Sequence, residues 1–217
     1  FAVYYGEEYG WTGALTEIDV KSMYMISTSN AGTLEYSGVP VDPGNTPITI
    51  GSGWNWIGYL PQSYIGTNDA LGTVVADLND MIKDQNDFAI YYGEDYGWTG
   101  SLGTMSPGKG YMLSVSYDSY LIYPSGDPGM SRMTFQLDEE DMFPVAISSW
   151  AVNPHAYEFN ATMTLSIDSH EDFEGDYVGV FVGDECRGVA ERKEFMIDGS
   201  YNYSVMVYSN VVDGEKI

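Results

Sequence analysis

Apolar and polar residues alternate along most of this chain, which is the pattern of half-buried β-strands. The alternation is clear at 133–137, 161–168 and 201–207, whereas 177–182 is apolar on both faces, as an inner strand would be. Turn-forming pairs stand between these segments, at 174–175, 183–184, 198–199 and 213–214. The pattern predicts a mainly β fold that ends in a β-sandwich, either Ig-like or jelly-roll-like, over residues 131–217.

One segment follows a helical period instead. Its apolar residues fall on a single stripe, at Leu71, Val74, Val75, Leu78, Met81 and Ile82. Thr67 or Asn68 can cap such a helix, and Asp69 suits its first turn. The spacing therefore predicts one amphipathic helix directly before the strand that begins at Phe88.

A stretch of fifteen residues is written twice. Phe-Ala-Val-Tyr-Tyr-Gly-Glu-Glu-Tyr-Gly-Trp-Thr-Gly-Ala-Leu at 1–15 returns at 88–102 with three substitutions, at positions 3/90, 8/95 and 14/101. The offset is 88 − 1 = 87 residues, and the similarity continues in register to about residue 36. Such a period indicates tandem modules. Each copy contains two glycines around a carboxylate pair, which predicts a tight turn between two strands.

Proline-rich segments divide the chain into units. We expect residues 1–38 to be the C-terminal half of an α+β repeat module and 39–50 to be a linker. Residues 51–124 would form a complete module, and 125–130 a second linker before the sandwich at 131–217. On this division the first module starts inside its repeat, and the sandwich is truncated at its C-terminus, so we expect both to be completed by other segments.

The charge is strongly acidic, with 32 Asp and Glu against 8 Lys and Arg and a formal net charge of −24. This field repels nucleic acid and anionic membrane surfaces. No apolar run reaches the 18 or so residues of a membrane span, so no membrane insertion is expected. Cys186 is the single cysteine, which excludes an internal disulfide.

Two groups of motifs resemble known proteins. Gly-Trp-Asn-Trp-Ile at 53–57, Gly97-Trp98 and Pro-Gly-Lys-Gly-Tyr-Met at 107–112 resemble repeats of large secreted bacterial surface proteins. Trp-Ala-Val-Asn-Pro at 150–154 and Gly-Asp-Glu-Cys-Arg-Gly-Val-Ala at 183–190 resemble a β-domain that often follows such repeats. The resemblance implies a modular protein that is secreted or held at the cell surface. It implies no catalytic residues.

Each duplicated stretch places aromatic rings beside carboxylates, as sugar-binding clefts do. The glycan-binding candidates are Glu7, Tyr9 and Trp11 in the first copy and Glu94, Tyr96 and Trp98 in the second. Two alternatives remain open at this point. Each tryptophan can fill the core of its own module across the glycine-rich turn, or it can contact a neighbouring module.

An acidic loop offers a candidate calcium site. Asp172, Glu174 and Asp176 stand two residues apart, a spacing that can bring oxygen ligands around Ca²⁺. The match to an EF-hand fails, because Gly175 is misplaced and no glutamate occupies the twelfth position. The alternative is a solvated acidic loop. No other cofactor is expected.

No catalytic constellation stands out. Cys186 would need a base or a cationic setting to become a thiolate, and Glu185 and Arg187 are better explained as a structural pair. There is no phosphate loop, no Ser-His-Asp order and no zinc spacing. A hydrolase would need two carboxylates about 5 to 10 Å apart across a cleft. We therefore expect a non-enzymatic extracellular scaffold, adhesin or filament component whose partners are neighbouring modules or copies of itself, the alternative being a carbohydrate-binding module.

Overall fold

The computed structural model describes residues 1–34, 38–125, 150–166, 177–194 and 200–210. In this part of the chain the fold is mainly β, as predicted, with several antiparallel sheets and one α-helix. No helix among these residues is long and apolar enough to cross a membrane. The strand expected at 133–137 lies outside the described residues.

The first element is an isolated hairpin, made of β1 (Ala2–Tyr4) and β2 (Trp11–Gly13). The strands pair antiparallel, with Tyr4 opposite Trp11. Gly6 and Gly10 have φ values of 90° and 60°, in the left-handed region that glycine adopts without a steric cost. These glycines form the predicted turn.

A central unit follows, which we define as residues 48–123. Its elements in chain order are β3 (Ile48–Ile50), β4 (Gly53–Gly58), β5 (Ile65–Gly66), α1 (Thr67–Ala70), β6 (Met81–Lys83), β7 (Phe88–Tyr91), β8 (Trp98–Gly100), β9 (Thr104–Met105), β10 (Gly110–Val115) and β11 (Ser119–Leu121). Five of the strands form one antiparallel sheet in the order β4-β10-β6-β7-β8. The pairs β3–β11 and β5–β9 form two small additional sheets.

The five-stranded sheet has a buried face and a partly open one, because successive residues of a strand point to opposite sides. The buried face carries Ile57, Ile82, Trp98, Tyr111 and Leu113, which all belong to one hydrophobic core. Their neighbours along the strands lie on the other face. There Trp54 and Trp56 stay about half exposed.

The prediction of an amphipathic helix over residues 71–82 is wrong. The α-helix comprises only Thr67–Ala70, and Met81–Lys83 forms a strand in which Ile82 alone points into the core. Polar groups account for the difference. The Asp80 side chain accepts a hydrogen bond from the Asp77 amide at 2.8 Å, and its backbone carbonyl accepts one from Tyr91. Asn79 between them has a φ of 71°, which no helix contains.

The trailing part of the chain forms a four-stranded antiparallel sheet. Its strands are β12 (Phe159–Ser166), β13 (Tyr177–Val182), β14 (Glu185–Glu194) and β15 (Tyr201–Ser209), in the order β12-β15-β14-β13. The strands predicted from alternation at 161–168 and 201–207, and from the continuous apolar run at 177–182, are confirmed over their described residues. We call this sheet the trailing sheet.

Candidate functional site: the duplicated hairpin

The two copies of the fifteen-residue stretch fold into the same hairpin. The Tyr5 amide donates to the Gly10 carbonyl at 3.0 Å, and Tyr92 donates to Gly97 at 2.9 Å. The Tyr4 and Trp11 ring centroids lie 5.6 Å apart, against 5.4 Å for Tyr91 and Trp98. The hairpin shape therefore depends on its own residues and not on its surroundings.

The surroundings of the two hairpins differ greatly. In the second copy Trp98 is 6% exposed and Phe88 is 2% exposed, whereas their counterparts Trp11 and Phe1 are 61% and 89% exposed. The second hairpin is covered on both faces, and the first is bare. The segment that covers the second hairpin has no counterpart around the first within the described residues.

Asn68, in α1, holds the outer edge of β8. Its side-chain oxygen accepts a hydrogen bond from the Trp98 amide at 2.6 Å, and its side-chain nitrogen donates to the Trp98 carbonyl at 3.1 Å. These two bonds replace those that a further strand would make. The neighbouring Thr67 hydroxyl donates to the Leu102 carbonyl at 2.8 Å, so α1 also fixes the residues after β8.

The opposite edge of the hairpin is closed by β6 and the turn before it. The Tyr91 amide donates to the Asp80 carbonyl at 2.8 Å, and the Asn79 amide donates to the Tyr91 carbonyl at 3.0 Å. Strand β6 continues this pairing with Met81 opposite Ile90. The second hairpin is thus held at both edges by residues 67–83.

The other face of the second hairpin packs against the trailing sheet. Phe88 forms a buried cluster with Val152, Met206 and Tyr208. The Tyr208 hydroxyl donates to the Gln85 carbonyl at 2.7 Å. Beside this contact the Lys83 ammonium donates to the Asn160 side chain at 2.9 Å, and its partial burial lowers the pKa of Lys83.

The absence of cover extends beyond the first hairpin. Core residues of the central unit have apolar counterparts 87 positions earlier, and these are exposed. The buried residues are Leu102, Met105, Tyr111, Leu113 and Leu121, and the exposed ones are Leu15, Ile18, Tyr24, Ile26 and Leu34. Residues 15–34 thus carry apolar side chains at the positions that match the core of the central unit, but these side chains are exposed.

The segment after the first hairpin is joined to the central unit. The Gly58 amide donates to the Lys21 carbonyl at 2.9 Å, the Met23 amide donates to the Trp56 carbonyl at 3.3 Å, and a β-bridge links Ser22 to Ile57. These bonds lie along the outer edge of β4. Residues 21–23 therefore extend the five-stranded sheet by a short sixth segment.

The structure separates the glycan-binding candidates. In the first hairpin Glu7, Tyr9 and Trp11 are all exposed. In the second, Glu94 is exposed and Tyr96 is half-buried, but Trp98 fills the core of its own unit, as one of the alternatives from the sequence had it. Trp98 has no open ring face for a sugar in this arrangement.

The candidate calcium ligands Asp172, Glu174 and Asp176 lie outside the described residues. Among the residues that are described, no group of three or more His, Cys, Asp or Glu side chains could hold a metal ion.

The Cys186 loop has a structural arrangement. Glu185 and Arg187 form the expected pair at 3.2 Å, and the Arg187 guanidinium also lies over the Tyr157 ring, 4.8 Å from its centroid. Burial raises the pKa of the Cys186 thiol, and its sulfur lies 3.5 Å from the Gly188 carbonyl. The raised pKa favours the neutral thiol over a nucleophilic thiolate.

Sequence reasoning missed the main role of Asn68, which it placed at a helix cap. The partner of Asn68 is thirty residues away in sequence, so no local pattern points to this contact. Comparisons of the chain with protein-family models, curated proteins and solved structures find no match. The function is therefore inferred from the geometry of the two hairpins and their surroundings.

Proposed function

We propose that the chain is a non-enzymatic part of an extracellular repeat array, acting as a surface scaffold, an adhesin or a filament component. The observation that carries this proposal is that backbone hydrogen bonds join residues 21–23 to the central unit, and that side chains of the trailing sheet pack against the same unit. The first repeat adds residues 21–23 to the edge of β4, and the trailing sheet covers β7 of the same central unit. A repeat protein gains its stability from such contacts between neighbours.

The side chains at the first join fit tightly as well. The Met23 side chain lies directly over Gly110, and the Val20 carbonyl lies directly over Gly58. A side chain at position 110 would collide with Met23, and one at position 58 would collide with the Val20 carbonyl. Glycine at both positions allows the first repeat to approach the sheet closely. The central unit thus has glycine at the two positions where the first repeat comes closest to the sheet.

The acidic surface supports an exposed location. With a formal charge of −24, neighbouring arrays would repel one another and stay soluble. Specific contacts between arrays would then form only at the open hairpin and the sheet edges. Burial raises the pKa of Cys186, the single cysteine, which favours its neutral thiol over a nucleophilic thiolate.

Hydrogen exchange of the intact chain tests the join. We expect the amides of Met23 and Gly58 to be protected together, because both lie in the same bonded segment. Exchange of both amides at the rate of an unstructured peptide would remove the support for a joined array. Protease treatment of intact source cells, compared with lysed cells, tests surface exposure: a chain degraded only after lysis would refute the extracellular location.

A carbohydrate-binding module is the second candidate, and one observation favours it. Trp54 and Trp56 lie two residues apart on the same sheet face and are each about half exposed, and the Lys83 ammonium lies 5.4 Å from the Trp54 ring centroid. Flat aromatic surfaces of this kind stack on sugar rings. Titration with soluble polysaccharides, followed by tryptophan fluorescence, should then saturate and be lost in Trp54→Ala. An unchanged emission spectrum with every polysaccharide would exclude this function.

A further inference from the structure

We propose that the first hairpin is a docking site for one further segment with the sequence character of residues 48–87, which we call the covering segment. This inference rests on the proposed repeat array and names the partner that the array would use. The second hairpin supplies the template, because the structure shows the same fifteen-residue stretch with its cover in place.

The docking surface is preformed. The bare hairpin has the turn hydrogen bonds and the Tyr–Trp ring contact of the covered one. Gly10 and Gly97 share a φ of 60°, so even the turn backbone agrees. Docking therefore requires little rearrangement of the hairpin, and preorganisation of this kind favours binding.

The edges of the hairpin specify a polypeptide partner. In the second copy the backbone of Trp98 is bonded by Asn68, and the backbone of Tyr91 by the turn at Asn79 and Asp80. The first hairpin presents the same groups at Trp11 and Tyr4, and no residue of the described chain takes the place of Asn68 or Asp80. A partner must therefore offer an amide side chain at one edge and a strand at the other, which a sugar cannot do.

The exposed apolar side chains specify the same partner. Trp11, Leu15, Tyr24 and Ile26 keep the apolar character of residues that the central unit buries at 6% exposure or less. A position that stays in contact with water does not require an apolar side chain, and a contiguous exposed apolar surface marks an interaction site. A covering segment would bury these side chains as residues 48–87 bury their counterparts.

A second copy of the same chain cannot supply this cover by exchange. The described residues of one copy contain two hairpins and one covering segment, and that segment is engaged with the second hairpin of the same copy. Copies that exchanged covering segments would still leave one hairpin bare in each chain. The partner must bring an additional covering segment.

The test is an extended chain, in which a second copy of residues 38–87 is joined ahead of Phe1 in the way that Asp87 joins Phe88. Hydroxyl-radical labelling with mass spectrometry reports the exposure of Trp11, and Trp98 serves as the internal reference for a covered ring. We expect labelling of Trp11 to fall at least about fivefold, towards the level of Trp98. The matched control carries Asn68→Ala in the added segment only, and should restore part of the labelling.

Trp11 labelling that is unchanged by the extension would overturn the inference. Loss of labelling in the unextended chain as its concentration rises would also overturn it, in favour of association between copies through the bare hairpin. Protection of the Met23 and Gly58 amides is measured on the same samples. If these amides stay protected while Trp11 stays labelled, the docking inference fails and the joined array stands; if they exchange freely, the array itself fails.

A second variant guards against misfolding of the extended chain. Asn68→Ala in the unextended chain should increase exchange of the Trp98 amide about tenfold or more, because its acceptor is lost. A Trp98 amide that stays fully protected would show that Asn68 does not hold the hairpin, and the template for docking would be refuted.

Discussion

Asn68→Ala in the unextended chain should destabilise the central unit, because two hydrogen bonds to the Trp98 backbone are lost. The replaced side chain makes one short bond to the Trp98 amide, at 2.6 Å, and one to the Trp98 carbonyl, at 3.1 Å. Trp98 is 6% exposed whereas Asn68 is exposed, so after the substitution water replaces the two bonds only in part. The loss includes the cost of leaving buried polar groups unpaired.

The magnitude follows from these two bonds. Each contributes about 1 kcal/mol net, and an unpaired buried backbone group adds roughly 1 kcal/mol or more. Alanine returns about 0.5 kcal/mol through its higher helix propensity in α1. The free energy of unfolding of the central unit should therefore fall by about 2–3 kcal/mol.

Urea unfolding followed by tryptophan fluorescence measures this change. Asn68→Asp is the graded variant: aspartate still accepts from the Trp98 amide but cannot donate to its carbonyl, so its loss should be about half as large. Asn45→Ala is the matched control, because its side chain bonds Asp42 at an exposed site and should change stability by less than about 0.5 kcal/mol. A loss below about 0.5 kcal/mol in Asn68→Ala would refute the reasoning.

Three further predictions test the same picture. Trp98→Ala should cost about 3–5 kcal/mol in urea unfolding, whereas Trp11→Ala should cost less than about 0.5 kcal/mol; equal losses would contradict the difference in burial. Gly58→Ala should displace Val20 from the edge of the sheet and break about two hydrogen bonds. Tryptic cleavage after Lys21 should then become at least about tenfold faster. Cleavage of the variant at the rate of the unsubstituted chain would refute the join. Burial, and next the charge of Asp84, raise the pKa of Asp87 in the folded chain. The ionised form of Asp87 therefore destabilises the fold, so the free energy of unfolding should rise as the pH falls through the folded pKa of Asp87. This rise should be smaller in Asp87→Asn than in the unsubstituted chain. An equal slope of unfolding free energy against pH in the two chains would refute the assignment.

The strands could be predicted from the sequence because their apolar residues either alternate or, at 177–182, form a short continuous run. The segment Tyr177–Val182 matches its predicted bounds, and the turn glycines at 93 and 97 have the positive φ values expected of them. The stripe from Leu71 to Ile82 misled because Val75 and Leu78 are exposed, so only part of the stripe is buried. Hydrogen bonds of Asp80, one with the nearby Asp77 amide and one with the Tyr91 amide, overrode the helical period.

The candidate site was predictable only as far as the duplicated stretch itself. Trp11 and Trp98 have nearly identical neighbours in sequence, so no local rule can place one in a core and the other in solvent. The difference comes from residues 67–83, which pair with one hairpin and have no counterpart at the other. Long-range contacts of this kind leave no periodic signal.

The agreement between the two hairpins bears on how an array of such repeats would grow. A bare hairpin that keeps the covered geometry loses little conformational freedom when a neighbour docks, so most of the interaction energy remains for binding. The opposite holds for the residues corresponding to β10. Tyr24 and Ile26 lie outside any strand while exposed, whereas Tyr111 and Leu113 belong to β10 and are buried. Docking at the hairpin would therefore come first and order the next strand afterwards, which couples the folding of one repeat to the presence of its neighbour.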